Sequence, residues 1–481
     1  MIILATILTY FALLFVFSRL TSRQTDNETF FRGRRQSPWY MVAFGMIGAS
    51  ISGVTFVSVP GMVMSSQMTY LQTCIGFIFG YLAVAFLLLP LYYRNNLTTI
   101  YSYLDSRLGR SSYVTGASFF LLSKMTGAAI RFYVVCMILQ HFVLRQYGIP
   151  FPLTVVLMVA FIWIYTRRGG IKTLVWTDTL QTTCMFTALL LIIFGVVRAL
   201  QISPAEAVST IVHDKASRIF VLDDWMSRQN FFKQFFSGIF IVIVMTGLDQ
   251  DMMQKNLTCR TLREAQKDMC TYGTLFVPAN LLFLSLGILL THLASSWGIS
   301  LPEKGDDLLP MFAATGLLGQ GVVVLFALGI VAASFSSADS ALTAMTTSCC
   351  VDLLQRPDDE RIRRRVHLAL AVVFASLIIA VDSLNASSII DTIYTLCAYT
   401  YGPLLGLFAY AIFRSKKTAT APSLGRAPYF ICLASPALCH GLSWLAIHTT
   451  GYHFGYELLM LNGLLTYIGL GIADSYTKKK S

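Results

Sequence analysis

The stretch Ile47-Gly-Ala-Ser-Ile-Ser-Gly-Val-Thr-Phe-Val-Ser-Val-Pro-Gly61 places glycines, hydroxyl side chains and a proline inside an apolar run. We predict a membrane span at 39–62, in which Gly48, Gly53 and Pro60 lower the stability of a continuous helix. Carbonyls freed by a break in lipid must find partners or line a polar cavity. Two interpretations stay open at this point. The span is either a kinked helix packed on small residues or a broken helix that exposes carbonyls to a cation.

The composition on either side of this stretch is that of a chain whose solvent is mostly lipid. Of the 481 residues, 55% are hydrophobic and 12% are charged, whereas soluble domains carry roughly 25% charged residues. Apolar runs of about 20 residues cross the hydrocarbon core as helices. We therefore predict an all-α integral membrane protein with about thirteen transmembrane helices. They are expected at 1–18, 39–62, 67–92, 112–142, 151–166, 174–198, 232–252, 269–293, 318–350, 365–383, 388–412, 427–447 and 454–473.

The net charge of +12 could indicate a nucleic-acid partner, but the distribution of the charge argues against it. If the loops alternate sides, most of the 36 Lys and Arg residues fall in one set of loops, which includes 19–35, 361–365, 478–480 and Lys255. Basic loops remain in the cytoplasm. We therefore expect a multi-pass protein of the cell inner membrane with its N-terminus outside and its C-terminus in the cytoplasm. The lipid bilayer is its expected surroundings, and no nucleic-acid or obligate protein partner is expected.

A second informative stretch, Ala332-Ala-Ser-Phe-Ser-Ser-Ala-Asp-Ser340, lies in the predicted ninth span, which is likewise poorly suited to a continuous, purely apolar helix. Hydroxyl oxygens are hard neutral ligands that suit Na⁺, although a serine run can also serve helix packing. Asp339 lies beside the serines, and an ionisable group inside a span is by default a functional-site candidate. Four small residues share one helical face at i, i+3, i+4 and i+7: Ala333, Ser336, Ser337 and Ser340.

Other ionisable residues also fall inside predicted spans. Asp178 lies at the inner end of the sixth span, where it is a second acidic candidate, a helix cap or a partner of Lys172. Lys124 and Arg131 share one face of the fourth span at i, i+7. They could neutralise Asp178 and Asp339, or Arg131 could meet an anionic substrate through its planar guanidinium group.

Four motifs occur in an order that resembles one known family. They are Phe31-Arg-Gly-Arg-Arg-Gln-Ser-Pro-Trp-Tyr40, Gly169-Gly-Ile-Lys-Thr-Leu-Val-Trp-Thr-Asp-Thr-Leu-Gln181, Asp249-Gln-Asp-Met-Met-Gln-Lys-Asn-Leu257 with Leu262-Arg-Glu-Ala-Gln-Lys267, and the serine stretch. Each motif alone is weak, but together they cover nearly the whole chain and resemble the sodium:solute symporter family.

This resemblance implies a single transporter domain with a LeuT-like core of two five-helix repeats of opposite topology. The repeats would span 39–198 and 232–412. An extra N-terminal helix, 1–18, would precede them, and two C-terminal helices within 427–473 would follow.

The resemblance also implies a main sodium site. Its ligands would be the carbonyls of Gly48, Ile51 and Ala333 and the hydroxyls of Ser336 and Ser337. Na⁺ would be the coupling ion, with one or two ions per transport cycle. The implied site agrees with the interpretation of a broken helix that faces a serine stripe.

Some family members hold a second sodium, and the resemblance places its ligands at Asp178, Ser336 and Ser340. At the remaining position those members have a hydroxyl residue, whereas this chain has Asp339. The extra carboxylate could strengthen Na⁺ binding, or it could share a proton with Asp178 and admit proton coupling.

The substrate is expected beside the helix break, where the family binds it. Hydroxyls, an amide and an aromatic ring suit a small polar solute such as a sugar or a sugar acid, and an available Arg131 favours a carboxylate. The expected solute-binding residues are Ser50, Ser52, Thr55, Tyr70, Gln72 and Arg131.

The sequence therefore predicts Na⁺-coupled symport of a small polar solute into the cytoplasm by alternating access. Three alternatives remain: a proton-coupled or uncoupled transporter of the same fold, a membrane solute sensor, and an intramembrane enzyme. A sensor is disfavoured because only a short polar segment, 474–481, follows the last predicted span. We expect no enzymatic activity, since the spans contain no His-Glu metal motif and no serine–base pair.

Overall fold

The computed structural model describes residues 2–21, 26–382, 389–414 and 424–480. Helices make up most of this part, and an isolated bridge between Ser37 and Cys259 is its only β-type pairing. The predicted all-α fold is confirmed.

The helices fall into twenty segments. They are α1 Ile2–Thr21, α2 Asn27–Arg32, α3 Trp39–Ser50, α4 Gly53–Ser66, α5 Tyr70–Ala83, α6 Leu89–Arg94, α7 Ser102–Leu108, α8 Arg110–Leu139, α9 Phe151–Ala199, α10 Pro204–His213, α11 Phe231–Val242, α12 Gln250–Asn256, α13 Leu262–Trp297, α14 Leu308–Ala313, α15 Gln320–Ser348, α16 Glu360–Val381, α17 Ile389–Thr400, α18 Gly402–Phe413, α19 Ala427–Thr450 and α20 Leu458–Lys480.

Within the described ranges, nine helices are long and apolar enough to cross a membrane. Three bent pairs raise the number to twelve: α3 with α4 at 61°, Phe231–Gly247 with α12 at 69°, and Thr392–Thr400 with α18 at 41°. The span predicted at 151–166 is the shorter helix Phe151–Arg167, which runs into the next span at Gly170. A helix lies at each predicted place, but the count of about thirteen spans is not confirmed.

The second predicted span is broken, as one of the two interpretations held. Helix α3 ends at Ser50, and Ile51 has φ −81° and ψ 83°, outside the helical region. The Ser52 amide bonds to the Ser50 carbonyl, so the Gly48 carbonyl loses the donor that a continuous helix would give it. Pro60, by contrast, lies inside α4 and does not end it.

A second break, between α11 and α12, differs from the prediction of one continuous span at 232–252. The chain leaves the helix near Leu248, and the Asp249 side chain then accepts a hydrogen bond from the Asp251 amide at 2.8 Å to cap α12. The ninth span, in contrast, is the continuous helix α15. Each predicted repeat thus begins with a broken helix.

Small residues let the broken helix lie between α9 and α15. A Cβ added at Gly48 would lie 1.9 Å from the Thr182 Oγ1 atom of α9, and one at Gly53 would lie 2.1 Å from the Ser334 Oγ atom of α15. Every residue from Gly329 to Ser348 of α15 is buried. The break is therefore held in the protein interior, away from lipid.

We expect Gly48→Ala to destabilise the protein by about 1–3 kcal/mol, because the new methyl group overlaps Thr182. Gly321→Ala is the matched control, since nothing lies within 4 Å of a Cβ at that position of α15. The midpoint of thermal unfolding in detergent measures both. An unchanged midpoint for Gly48→Ala would contradict this packing.

Candidate functional site

A cavity with about 950 Å³ of empty space, including its mouth, lies beside the break between α3 and α4. Its walls come from both broken helices and from α5, α8, α13 and α17. Five of the six residues predicted to bind solute line it: Ser50, Ser52, Thr55, Tyr70 and Arg131.

Gln72, the sixth predicted residue, does not line this cavity. Its side-chain amide donates to the Gln229 carbonyl at 2.8 Å, and its Oε1 atom accepts from the Val221 amide at 3.1 Å. Gln72 therefore ties α5 to the segment between α10 and α11. Sequence reasoning assigned it to the solute because the folded position of that segment could not be read from the chain.

The two serines of the predicted main sodium site point to different neighbours. The Ser337 hydroxyl donates to the Ala49 carbonyl at 2.7 Å, which joins α15 to the broken helix. The Ser336 hydroxyl instead donates to the Asp178 Oδ1 atom at 2.7 Å. The contacting carbonyl is thus that of Ala49, next to the predicted ligand Gly48.

The oxygens at this junction fit a sodium ion in kind. The Gly48 carbonyl has lost its helical donor, and the Ser337 hydroxyl lies against the same turn. Neutral carbonyl and hydroxyl oxygens are hard donors, which suit hard cations better than thiolate or imidazole ligands do. Ala333 lies one turn before Ser337, whose hydroxyl is 3.4 Å from the Ala333 carbonyl.

The ionic partner of Asp178 is Lys255, which corrects the expectation of Lys172, Lys124 or Arg131. The Lys255 Nζ and Asp178 Oδ2 atoms are 2.7 Å apart, and their side chains are 1% and 0% exposed. The prediction that Lys255 lies in a basic loop is therefore wrong. Lys255 is buried because α12 continues inside the protein after the unpredicted break.

Asp339, the extra carboxylate, is also fully buried. It accepts hydrogen bonds from the Tyr165 hydroxyl and, at 3.2 Å, from the Ser340 hydroxyl. The predicted second-site residues thus form two groups, with Ser336 on Asp178 and Ser340 on Asp339.

Lys124 neutralises a different pair of carboxylates from those predicted. Its Nζ atom lies 3.1 Å from Asp249 and 2.7 Å from Asp251, and the Tyr401 hydroxyl donates to Asp249 at 2.5 Å. Sequence reasoning recognised residues 249–257 only as a family motif. The available signal was the i, i+4 spacing of Asp251 and Lys255, which places both charges on one helical face.

Arg131 lies in the cavity wall and is half-buried. Within the described ranges, no carboxylate or hydrogen-bond acceptor pairs with its guanidinium group. The wall around it carries hydroxyls, including the Tyr70 and Tyr394 oxygens, which are 2.9 Å apart. In the described part of the chain, the cavity wall thus presents a guanidinium donor without an acceptor, beside hydroxyl groups and the Lys124–Asp249 ion pair.

The family model described as the sodium:solute symporter family matches residues 30–422. The chain belongs to this family. The sodium/sialic acid symporter NanT of Aliivibrio fischeri is 25% identical over 423 residues, which cover 84% of this chain and 81% of that protein. The sodium/sialic acid symporter SiaT of Proteus mirabilis is 24% identical over 433 residues, covering 86% and 85%.

A solved structure of a Na⁺-coupled sialic acid symporter, substrate-bound and outward-open, shares the fold of this family member with a TM-score of 0.83. Its sequence is 21% identical, and the match covers 99% of this chain and 98% of that one. The LeuT-like fold is thereby confirmed. The protein is a multi-pass Na⁺-coupled solute symporter from a family of transporters, with Na⁺ as its coupling ion. The proton-coupled and sensor alternatives are not favoured.

We expect Lys124→Gln to destabilise this symporter by about 3–5 kcal/mol, since Asp249 and Asp251 would remain buried without a cation. Arg34→Gln is the control, because the Arg34–Asp26 pair is 36% and 44% exposed and should contribute about 0–1 kcal/mol. Thermal unfolding of the purified variants compares them. Equal losses would show that the Lys124 cluster is not a buried ionic group.

Proposed function

We propose that this protein carries a small polar solute bearing a carboxylate, such as a sialic acid or another sugar acid, into the cytoplasm with Na⁺. One observation carries the proposal: the Arg131 guanidinium lines the cavity at the helix break and pairs with no acceptor in the described part of the chain. A charge at membrane depth is costly unless it is paired. A carboxylate of the solute would pair with the Arg131 guanidinium through two parallel hydrogen bonds.

The remaining wall suits the uncharged part of such a solute. Ser50, Ser52, Thr55 and Tyr70 present hydroxyls, which exchange hydrogen bonds readily with the hydroxyls of a sugar. A neutral sugar would satisfy these groups but leave the guanidinium unpaired. The names of the two sialic acid symporters described above agree with the anionic choice.

We assign the main sodium site to the junction of the broken helix with α15. The ligands would be the carbonyls of Gly48, Ile51 and Ala333 and the hydroxyls of Ser336 and Ser337. A cation there would draw the broken helix against α15 and favour the outward-open form. Solute would then close the outer side, and inward opening would release both.

The distribution of basic residues supports a further assignment. We place the protein in the cell inner membrane with its N-terminus outside and its C-terminus in the cytoplasm, where basic loops remain. The repeats are assigned to 39–198 and 232–412, since both begin with a broken helix. The solute and the bilayer are its proposed partners, with no nucleic acid, no obligate protein partner and no enzymatic activity.

We expect Arg131→Gln to weaken binding of a sugar acid roughly 10- to 100-fold, which corresponds to the loss of a hydrogen bond to a charged group worth about 1.5–3 kcal/mol. Arg131→Lys should recover only part of the affinity, because an ammonium lacks the planar fork. Thermal stabilisation by sugars, sugar acids and amino acids, with and without Na⁺, measures this. Arg198→Gln, at an exposed position, is the control. A sugar acid that binds Arg131→Gln as well as wild type would exclude the proposed contact.

We expect Ser337→Ala to raise the Na⁺ concentration for half-maximal uptake about tenfold, which corresponds to about 1.4 kcal/mol. Ser376→Ala is the control, since that hydroxyl bonds only within its own helix at 3.0 Å. Uptake into proteoliposomes over a range of Na⁺ concentrations gives both values. If Ser336→Ala and Ser337→Ala both leave Na⁺-dependent uptake unchanged, the main site lies elsewhere.

A further inference from the structure

Both oxygens of the Asp178 carboxylate contact polar groups of the protein itself. Its Oδ2 atom lies 2.7 Å from the Lys255 ammonium, and its Oδ1 atom accepts the Ser336 hydroxyl proton at 2.7 Å. Family resemblance had implied that this carboxylate would bind a second sodium. Instead, the ammonium of Lys255 in α12 forms an ion pair with this carboxylate.

Lys255 lies on α12, and hydrogen bonds to neighbouring segments hold this helix in place. Asp249 caps the first turn of α12. The Gln254 side-chain amide, one residue before Lys255, donates to the Phe31 carbonyl at 2.8 Å and to the Thr347 hydroxyl at 3.0 Å. Lys255 therefore extends from a helix that is tied to α15 and to the end of α2.

A mobile cation on Asp178 would be repelled by this resident charge. Two positive charges in contact with one buried carboxylate repel each other strongly, because little water screens them there.

The Lys255–Asp178 pair also bears on the main site. By accepting the proton of Ser336, Asp178 fixes the direction of that hydroxyl, so the lone pairs of the Ser336 oxygen are left free of hydrogen. Lys255 in turn holds Asp178. Both are positioning residues, which act on the cation through Ser336.

We propose that Lys255 supplies the second cation of the site from the chain itself, so that this protein binds and moves one Na⁺ per solute. The inference rests on the proposed main sodium site and concerns its stoichiometry. It differs from the expectation of a second mobile ion at Asp178, Ser336, Asp339 and Ser340.

The test uses the purified full-length protein and Na⁺ alone, because the solute need not be known. Thermal stabilisation is measured against Na⁺ concentration, with choline keeping the ionic strength constant, and the steepness of the curve gives the number of bound ions. Wild type and Lys255→Arg, which keeps a cation, are expected to follow a one-site curve. Lys255→Gln is expected to gain a second ion, with a Hill coefficient that rises toward two.

A second variant covers the case in which Lys255→Gln does not fold. Lys255→Gln combined with Asp178→Asn removes both charges of the pair and leaves no carboxylate for a second ion at Asp178. This variant should keep a one-site curve with weaker Na⁺ affinity, because Ser336 is less well oriented. A two-site curve for it would overturn the proposal.

Two further outcomes are decisive. A two-site curve for wild type, or a one-site curve for folded Lys255→Gln, would overturn the role of Lys255 and leave the proposed function intact. If Na⁺ does not stabilise the wild-type protein at all, or if Ser337→Ala leaves the stabilisation by Na⁺ unchanged, the proposed main site is instead refuted.

Discussion

Inside a bilayer, every backbone polar group must find a partner within the protein or line a polar cavity, and a charge is costly unless it is paired. This constraint accounts for the position of both helix breaks. The first break faces α15, where Ser337 donates to the Ala49 carbonyl. At the second break, Asp249 caps the helix that follows. The polar backbone groups at the breaks therefore lie in the protein interior and not against lipid. The cavity lies between the two breaks.

The same constraint governs the buried charges. One short helix, α12, takes part in two of the buried ion-pair groups, since Asp251 pairs with Lys124 and Lys255 pairs with Asp178. The first group borders the solute cavity through Lys124, and the second contacts Ser336 beside the proposed cation site. A movement of α12 would therefore reach both regions at once. This helix is a physical candidate for the element that links ion binding to solute binding.

Membership of the family sets the coupling ion, but the lining of the cavity sets the solute. Relatives at 24–25% identity share the architecture and leave room for different side chains in the wall. In this chain the proposed choice of solute rests on Arg131, which lies among hydroxyls and aromatic rings. The Tyr70–Tyr394 contact joins a helix of the first proposed repeat to one of the second beside this group.

The sequence by itself determined the approximate positions of the spans, the weakness of the helix around Ile51 and the candidacy of Asp178 and Arg131. Apolar length, glycine content and a charge at membrane depth are local properties that the chain displays directly. Tertiary structure decided the break near Leu248 and the pairing of Lys255 with Asp178. Both depend on partners distant in sequence: α12 is stable inside the protein only because Lys124 and Asp178 already lie there to neutralise its charges.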